Sequence, residues 1–435
     1  MENIDISYIR EPVERTLLLQ ELKQRHFLRK TNYGDKEIYV TTAHRSPNIM
    51  QEIGRLRELS FALQGGGTGK AVDIDEYDLL PDPHCYKQLF VWSPEDQEIV
   101  GAYRFIHGTN ILQRPDGTFA TSAASEFHFS EEFVKDYLPF TVELGRAFVQ
   151  PKFQPVTSLS KGLYSLDNLW DGIGGLAMEI PETRYFFGKV TMYSQMNPEA
   201  KDLILYFLKK HFPDRDGLLW PYEPREITTD FNKLHRLFKG RNYKEDYQTL
   251  VHSVREMGSS VPPLINAYMK LSPTMRTFGT AMTHGFGNVD ETGILIKLGD
   301  IYPDKRSRYF ESYEKRNKRL DRRNLFNIDL EKLPWWGKND DGEPESIAEH
   351  IAKIKERHEE RRQEIIEKRK AVQAERKAKR TKKAETKAKT KTETKAKTKT
   401  KEVKEKVKKV KEKKAKEAKP KVKKAVSDQW SVVSS

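Results

Sequence analysis

Between residues 46 and 63 the apolar positions Ile49, Ile53, Leu56 and Leu63 recur at helical spacing, and Ser46-Pro47 supplies a cap and a first-turn proline. This predicts an amphipathic helix. The charged residues 1–36 ahead of it predict a short leading helix or arm, with Tyr33-Gly34-Asp35 turning the chain into a strand at 38–42. Two β-type runs, 88–92 and 99–106, joined by Ser93-Pro94-Glu95-Asp96, predict an antiparallel hairpin. A strand at 140–149, a helix at 165–178, a strand at 185–193 and an amphipathic helix at 198–212 capped by Asn197 continue the alternation. The order of these elements predicts an α/β class: a mixed sheet with helices on its faces.

Residues 215–240 read as an irregular insert, and 243–271 as one or two helices broken at Val261-Pro262-Pro263. The run 277–301 predicts paired strands around Gly287-Asn288, with the folded body ending near Trp335-Trp336. From 337 to 380, and most clearly from 346, helix formers mix with dense charge and predict a solvated helical segment. From 381 to 435 the chain includes repeats such as TKAKTKTETKAKTKTK, with nothing to bury, and disorder is expected. The domain reading is thus an arm (1–36), a body (37–336), a charged helical segment and a Lys-rich tail.

Charge redraws the picture. Residues 361–425 hold 30 Lys and Arg against 9 Glu, a net +21, so subtracting from the overall +14 leaves −7 for everything else. The basic character belongs to the tail, and the mildly acidic body argues against nucleic acid as a partner. The single cysteine, Cys85, excludes an intramolecular disulfide and a zinc site built on CxxC pairs. With no signal peptide or apolar run near the roughly 20 residues that span a bilayer, a cytoplasmic protein is expected.

Gly65-Gly66-Gly67-Thr68-Gly69-Lys70 fails the phosphate-loop pattern at Gln64 and Ala71, and instead suggests a turn or a loop closing over a substrate. Charged residues inside apolar strands are more informative, because they need partners or a cleft. Arg104 and the Glu143-Leu144-Gly145-Arg146 run are two such sites, with Arg55 and Arg57 on the first helix and Asp73, Asp75, Glu76 and Asp78 nearby. Pairing that merely holds strands in register is the structural alternative; an active-site cleft is the functional one. His84-Cys85 lacks the companions of a nucleophilic pair and reads as structural, and His284, in the run Thr283-His284-Gly285-Phe286-Gly287, is a secondary candidate.

The segments RLRELSF, VDIDEYD, VGAYRF, VELGRAFVQP, LWDGIGG, FFGKVTMYSQMNP, VPPLINAYMKL and GFGNVD resemble the bacterial, hemolysin-like N-acyltransferases that make ornithine and glycine lipids, over about residues 38–315. The chain is also similar to acyl-homoserine-lactone synthases, whose charged pattern is met here by Arg57 and Phe61, Asp75 and Asp78, Arg104, and Glu143 with Arg146. The longer gap from Asp78 to Arg104 argues against a lactone synthase.

The resemblance implies a GNAT-like, mostly antiparallel sheet and direct transfer of a 3-hydroxylated fatty acyl group from acyl carrier protein to an amino acid such as glycine or ornithine, in aminolipid synthesis. It implies no cofactor or metal beyond the acyl donor. Glu143, Arg104 and Arg146 are its expected catalytic residues, with Arg57, Phe61, Asp75, Asp78, Trp170 and His284 as substrate contacts. Glu143 would be the base that frees the amine, strengthened by desolvation on an apolar strand and tempered by Arg146. Arg104 would hold the acceptor carboxylate. The carrier's arm would lie between splayed strands, its carbonyl polarised by backbone N–H groups of residues 149–153, and the tail would meet the carrier or the inner membrane surface. The competing readings are an acyl-CoA-dependent enzyme for another amine, and a nucleic-acid or membrane-surface binding protein acting through its tail.

Overall fold

In the computed structural model, which describes residues 4–158, 162–180, 182–240 and 242–313, the alternating apolar runs become ten strands. They are β1 (Phe27–Lys30), β2 (Glu37–Thr41), β3 (Lys87–Ser93), β4 (Glu98–His107), β5 (Phe127–Phe129), β6 (Thr141–Val149), β7 (Tyr185–Met192), β8 (Leu219–Pro221), β9 (Arg276–Thr283) and β10 (Val289–Lys297). Eight of them form one sheet in the order β1-β2-β3-β4-β6-β7-β10-β9, while β5 and β8 pair separately. Every neighbouring pair in the large sheet is antiparallel except β6 with β7.

Among the described residues the α-helices are α1 (Arg15–Glu21), α2 (Pro47–Ala62), α3 (Glu76–Leu79), α4 (Ser165–Glu179), α5 (Pro198–His211), α6 (Phe231–Leu237), α7 (Tyr243–Glu256), α8 (Pro263–Met269) and α9 (Pro303–Arg306). Parallel neighbours cannot be joined by a tight turn, and α4 makes the crossover between β6 and β7. Strand side chains point alternately to the two faces, which separates two cores. Tyr39, Phe90 and Trp92 pack with Ile49, Ile53 and Leu56 of α2. Ile38, Val40, Leu89 and Val91 pack with α4 and α5 on the other face. The mixed, mostly antiparallel sheet flanked by helices is the expected fold class.

Local signals explain the element starts. Asn197 accepts from the amides of Glu199 and Ala200 at the start of α5, and Asp75 and Asp78 close a reciprocal capping box on α3. Two expectations change. The leading arm contributes a strand, since β1 pairs with β2 at the sheet edge. The insert is not irregular throughout: it holds β8, which pairs with β5, and α6. The body's expected end at Trp335-Trp336, the charged helical segment and the tail lie outside the described residues. Among the described residues no helix is long and apolar enough to cross a membrane.

Candidate active site

The parallel pair holds together only briefly. Thr141 to Leu144 face Tyr185 to Gly188 in register, and beyond that point β6 and β7 part. A β-bulge helps to turn β6 away: Ala102 of β4 faces Phe148 and Arg104 faces Gly145, so Arg146 and Ala147 together oppose Tyr103. Arg146 takes a left-handed φ of 48° there. A cavity of about 230 Å³ opens in the gap, lined by residues of both faces of the sheet. Leu169, Val190 and Leu264 line it on the α4 and α8 face, while Arg146, Lys189, Tyr193 and Glu291 line it on the other.

Two of these groups, Lys189 and Glu291, form one largely buried cluster with Glu126, which is not itself among the residues lining the cavity. Lys189 Nζ lies 2.5 Å from Glu126 Oε1 and 2.5 Å from Glu291 Oε2. Thr191 Oγ1 donates to Glu291 Oε1 at 3.0 Å, and the lysine also donates to the Ser122 carbonyl at 3.3 Å. Burial pushes Glu126 up to about 8, with the neighbouring Glu291 adding to the shift and Lys189 opposing it. Burial acts on Glu291 in the same direction, but Lys189 outweighs it and holds that carboxyl down. Burial also disfavours the Lys189 charge, yet the two glutamates keep its ammonium above the usual lysine value. Tyr193 is pushed up to about 12 by burial and then by Glu291, so its hydroxyl keeps its proton.

Most of the charges singled out in the sequence sit beside this cavity rather than on it. Arg57 donates to Asp78 at 3.0 Å, to Gln88 Oε1 at 2.5 Å and to the Asp73 carbonyl at 3.2 Å. Arg104 donates to Asp75 at 2.6 Å and to Asp78 at 3.2 Å, with its guanidinium 4.3 Å from the centre of the Tyr86 ring. Arg57, Arg104 and Asp78, three of the residues expected at the site, are all fully buried, and none lines the cavity. Burial favours the neutral acid in Asp75, but Arg104 overrides it and holds the carboxyl down to about 2.

Glu143 is likewise placed away from the cavity: Tyr86 Oη donates to one oxygen at 2.6 Å and Thr121 Oγ1 to the other. Tyr86 Oη in turn accepts from the amide of Ser122, a cavity residue. Arg146 does reach the cavity, paired with Asp73 at 2.8 Å and stacked 4.2 Å over the Phe286 ring.

Residues 56–161 match the family model described as an Acetyltransferase (GNAT) domain. A protein named glycine N(alpha)-acyltransferase from Phocaeicola vulgatus is 52% identical over 306 residues, covering 70% of this chain and 93% of the relative. One of the same name from Bacteroides thetaiotaomicron is 50% identical over 303 residues, covering 70% of this chain and 89% of the relative. The chain belongs to this GNAT-type N-acyltransferase family. A solved CoA-dependent acyl-homoserine lactone synthase, with SAM and isopentyl-CoA, covers 67% of this chain at 10% identity and a TM-score of 0.27, too distant a likeness to carry an argument.

The remaining expectations for this N-acyltransferase divide. Phe61 lines the cavity, edge-on to Phe286 at 5.2 Å. Trp170 is packed in the core against Tyr268 and Tyr309, away from the cavity lining. His284 is largely exposed and pairs with Glu223 at 3.1 Å. The amides of Gln150 and Phe153, expected near the thioester, are bonded to the carbonyls of Val100 and Gln150. The Gly-rich loop is pinned rather than free: Glu58 accepts from Thr68 and Gly69, and a Cβ on Gly66 would lie 2.7 Å from the Tyr193 ring. Cys85 is fully buried and burial pushes its thiol up, so it is not a poised nucleophile in this N-acyltransferase.

Sequence reasoning passed over Lys189, Glu291 and Tyr193. The first two carried the signal used for Arg104, a charge inside an apolar strand, in Tyr185–Met192 and Val289–Lys297. Glu126 lies in a connecting segment and gave no such signal.

Proposed function

We propose that this N-acyltransferase moves a long, 3-hydroxylated fatty acyl group from acyl carrier protein to the amine of glycine, a step of aminolipid synthesis. The observation that carries the reading is the cavity between the parting strands, apolar on the α4 and α8 face and charged on the other. An acyl thioester and a zwitterionic amino acid need those two surroundings side by side. The name carried by both relatives supports glycine as the acceptor.

In this reading the pantetheine arm enters where β6 and β7 part, and no cofactor or metal is needed beyond the donor. Arg146 binds the acceptor carboxylate. The Tyr193 hydroxyl, kept neutral by burial and Glu291, protonates the leaving thiolate. Glu143 holds the segment carrying Ser122 and Glu126 in place. The Lys-rich tail attracts the acidic carrier, or an anionic membrane surface where the product collects.

The test supplies purified full-length protein with 3-hydroxyacyl carrier protein or the matching acyl-CoA, and with glycine or ornithine, and detects product by mass spectrometry. N-acylglycine formed preferentially from the carrier is expected, with loss of residues 361–435 slowing that reaction at low salt. Product only from acyl-CoA overturns the donor, product only with another amine overturns the acceptor, and no N-acyl product overturns the reading.

A further inference from the structure

We propose that Glu126 and Glu291, bridged by Lys189 on the cavity wall, form the proton-accepting pair that takes a proton from the acceptor's ammonium group. The proposal deepens the amide-forming reading above and rests on it for the identity of the acceptor.

The cluster is assembled by the sheet. Lys189 on β7 faces Gly293 on β10, and Glu291 sits two residues earlier along β10, opposite Thr191. Side chains on one face reach such diagonal neighbours, so Lys189 meets Glu291. Gly293 leaves space that Phe127 fills: a Cβ there would lie 3.2 Å from Phe127 Cε1. Packing of Phe127 against that glycine brings the preceding residue, Glu126, to Lys189.

The composition of the cluster gives it one proton to exchange. Two carboxylates and one ammonium carry a net −1 when all are ionised, and adding a proton makes the buried group neutral. Glu126 Oε1 meets Lys189, while its second oxygen, Oε2, is buried and accepts no hydrogen bond, which leaves a position on the carboxylate where a proton can be taken up. Glu126, the more proton-avid of the two, is raised to about 8 by burial, so the pair titrates as a unit close to the range where amino-acid amines still hold their proton. Lys189 from β7 and Glu291 with its Thr191 donor face Glu126 directly, and Arg146 from β6 and Tyr193 act on Glu291.

The step balances. The ionised pair takes one proton from the ammonium, leaving a neutral amine. The nitrogen lone pair attacks the thioester carbonyl, the C–N bond forms and the C–S bond breaks. The thiolate leaves and takes its proton from the Tyr193 hydroxyl, and Tyr193 is reprotonated by the second proton that nitrogen releases as the amide forms. The pair then returns its proton to solvent.

The experiment measures thiol release and N-acyl product against pH, from about 6 to about 9.5, for wild type, Glu126→Gln and Glu126→Asp at saturating donor. Wild type is expected to gain activity through about pH 8. Glu126→Gln is expected to lose that limb and about 100-fold in kcat with unchanged donor KM, and Glu126→Asp to keep the limb. A folded Glu126→Gln within about threefold of wild type with the limb intact overturns the proposal. Infrared difference spectra of wild type supply an arm that depends on neither folding of the variant nor acceptor identity. A protonated carboxyl band vanishing near pH 8 is expected, and its absence overturns the proposal. Amine-dependent thiol release without N-acylglycine overturns the glycine reading alone, because the limb and the band still decide the proton acceptor.

Discussion

Asp78 stands 3.0 Å from Arg57, and neither side chain touches solvent. The same carboxylate also faces Arg104 at 3.2 Å, so Asp78 is shared by two buried cations on α2 and β4, and Asp75, 2.6 Å from Arg104, supplies the second negative charge. Asp78→Asn leaves both guanidiniums undercompensated and is expected to cost about 3–5 kcal/mol in stability. Urea unfolding measures the loss; a change below about 1 kcal/mol would show that the network does not hold these elements together.

Asp75 gives the fold a specific acid sensitivity. Its carboxyl is held down to about 2 from an ordinary 3.8, so its pairing with Arg104 contributes in full above about pH 4. That contribution is lost as pH falls toward 2. Asp75→Asn is expected to flatten this part of the stability curve, measured as urea midpoints across the window.

Glu126 acts with the opposite sign. Its folded value of about 8 exceeds the ordinary 4.5, so the folded state keeps a proton that the unfolded chain releases. The associated stability is complete below about pH 4.5 and is lost as pH rises through about 8. The melting temperature of wild type should therefore fall across that interval more than that of Glu126→Gln. Parallel curves for the two proteins would contradict this assignment.

Glu143→Gln separates a positioning role from a proton-accepting one. Tyr86 and Thr121 both donate to this carboxylate, and glutamine can accept at only one of the two oxygens. A loss of about 1–3 kcal/mol in stability is expected, with the alkaline limb of the rate profile unmoved. Disappearance of that limb in a folded Glu143→Gln would return the base to Glu143.

Arg146 lines the cavity, and the proposed function has it bind the acceptor carboxylate. Arg146→Gln is expected to raise the acceptor KM by about tenfold or more while the donor KM stays within about twofold. An unchanged acceptor KM would place the carboxylate elsewhere.

Much of the fold was legible. The spacing of Ile49, Ile53 and Leu56 gave α2, and the Asn197-Pro198 cap gave the start of α5. The runs around Leu89 and Tyr103 gave the β3 and β4 hairpin. β1 was missed because four residues, Phe27–Lys30, are too short a run to show a period. The site was legible only in part. The embedded charge Glu143 lies on β6, whose Arg146 lines the cavity together with Phe61 of α2, while Arg104 lies on β4, which contributes no residue to that lining. Trp170 follows the apolar pattern of α4 into the core.

The sequence by itself determined the element types, the two apolar faces of the sheet and the need of each embedded charge for a partner, since these follow from local periodicity and desolvation. Tertiary structure alone decided which partners met. Register sets Lys189 opposite a glycine, that glycine admits Phe127, and Phe127 brings Glu126 to the lysine. A bulge turns Arg146 out where two parallel strands separate. Such contacts join residues far apart in the chain, and the free energy of a buried charge depends on what surrounds it in space rather than on its neighbours in sequence.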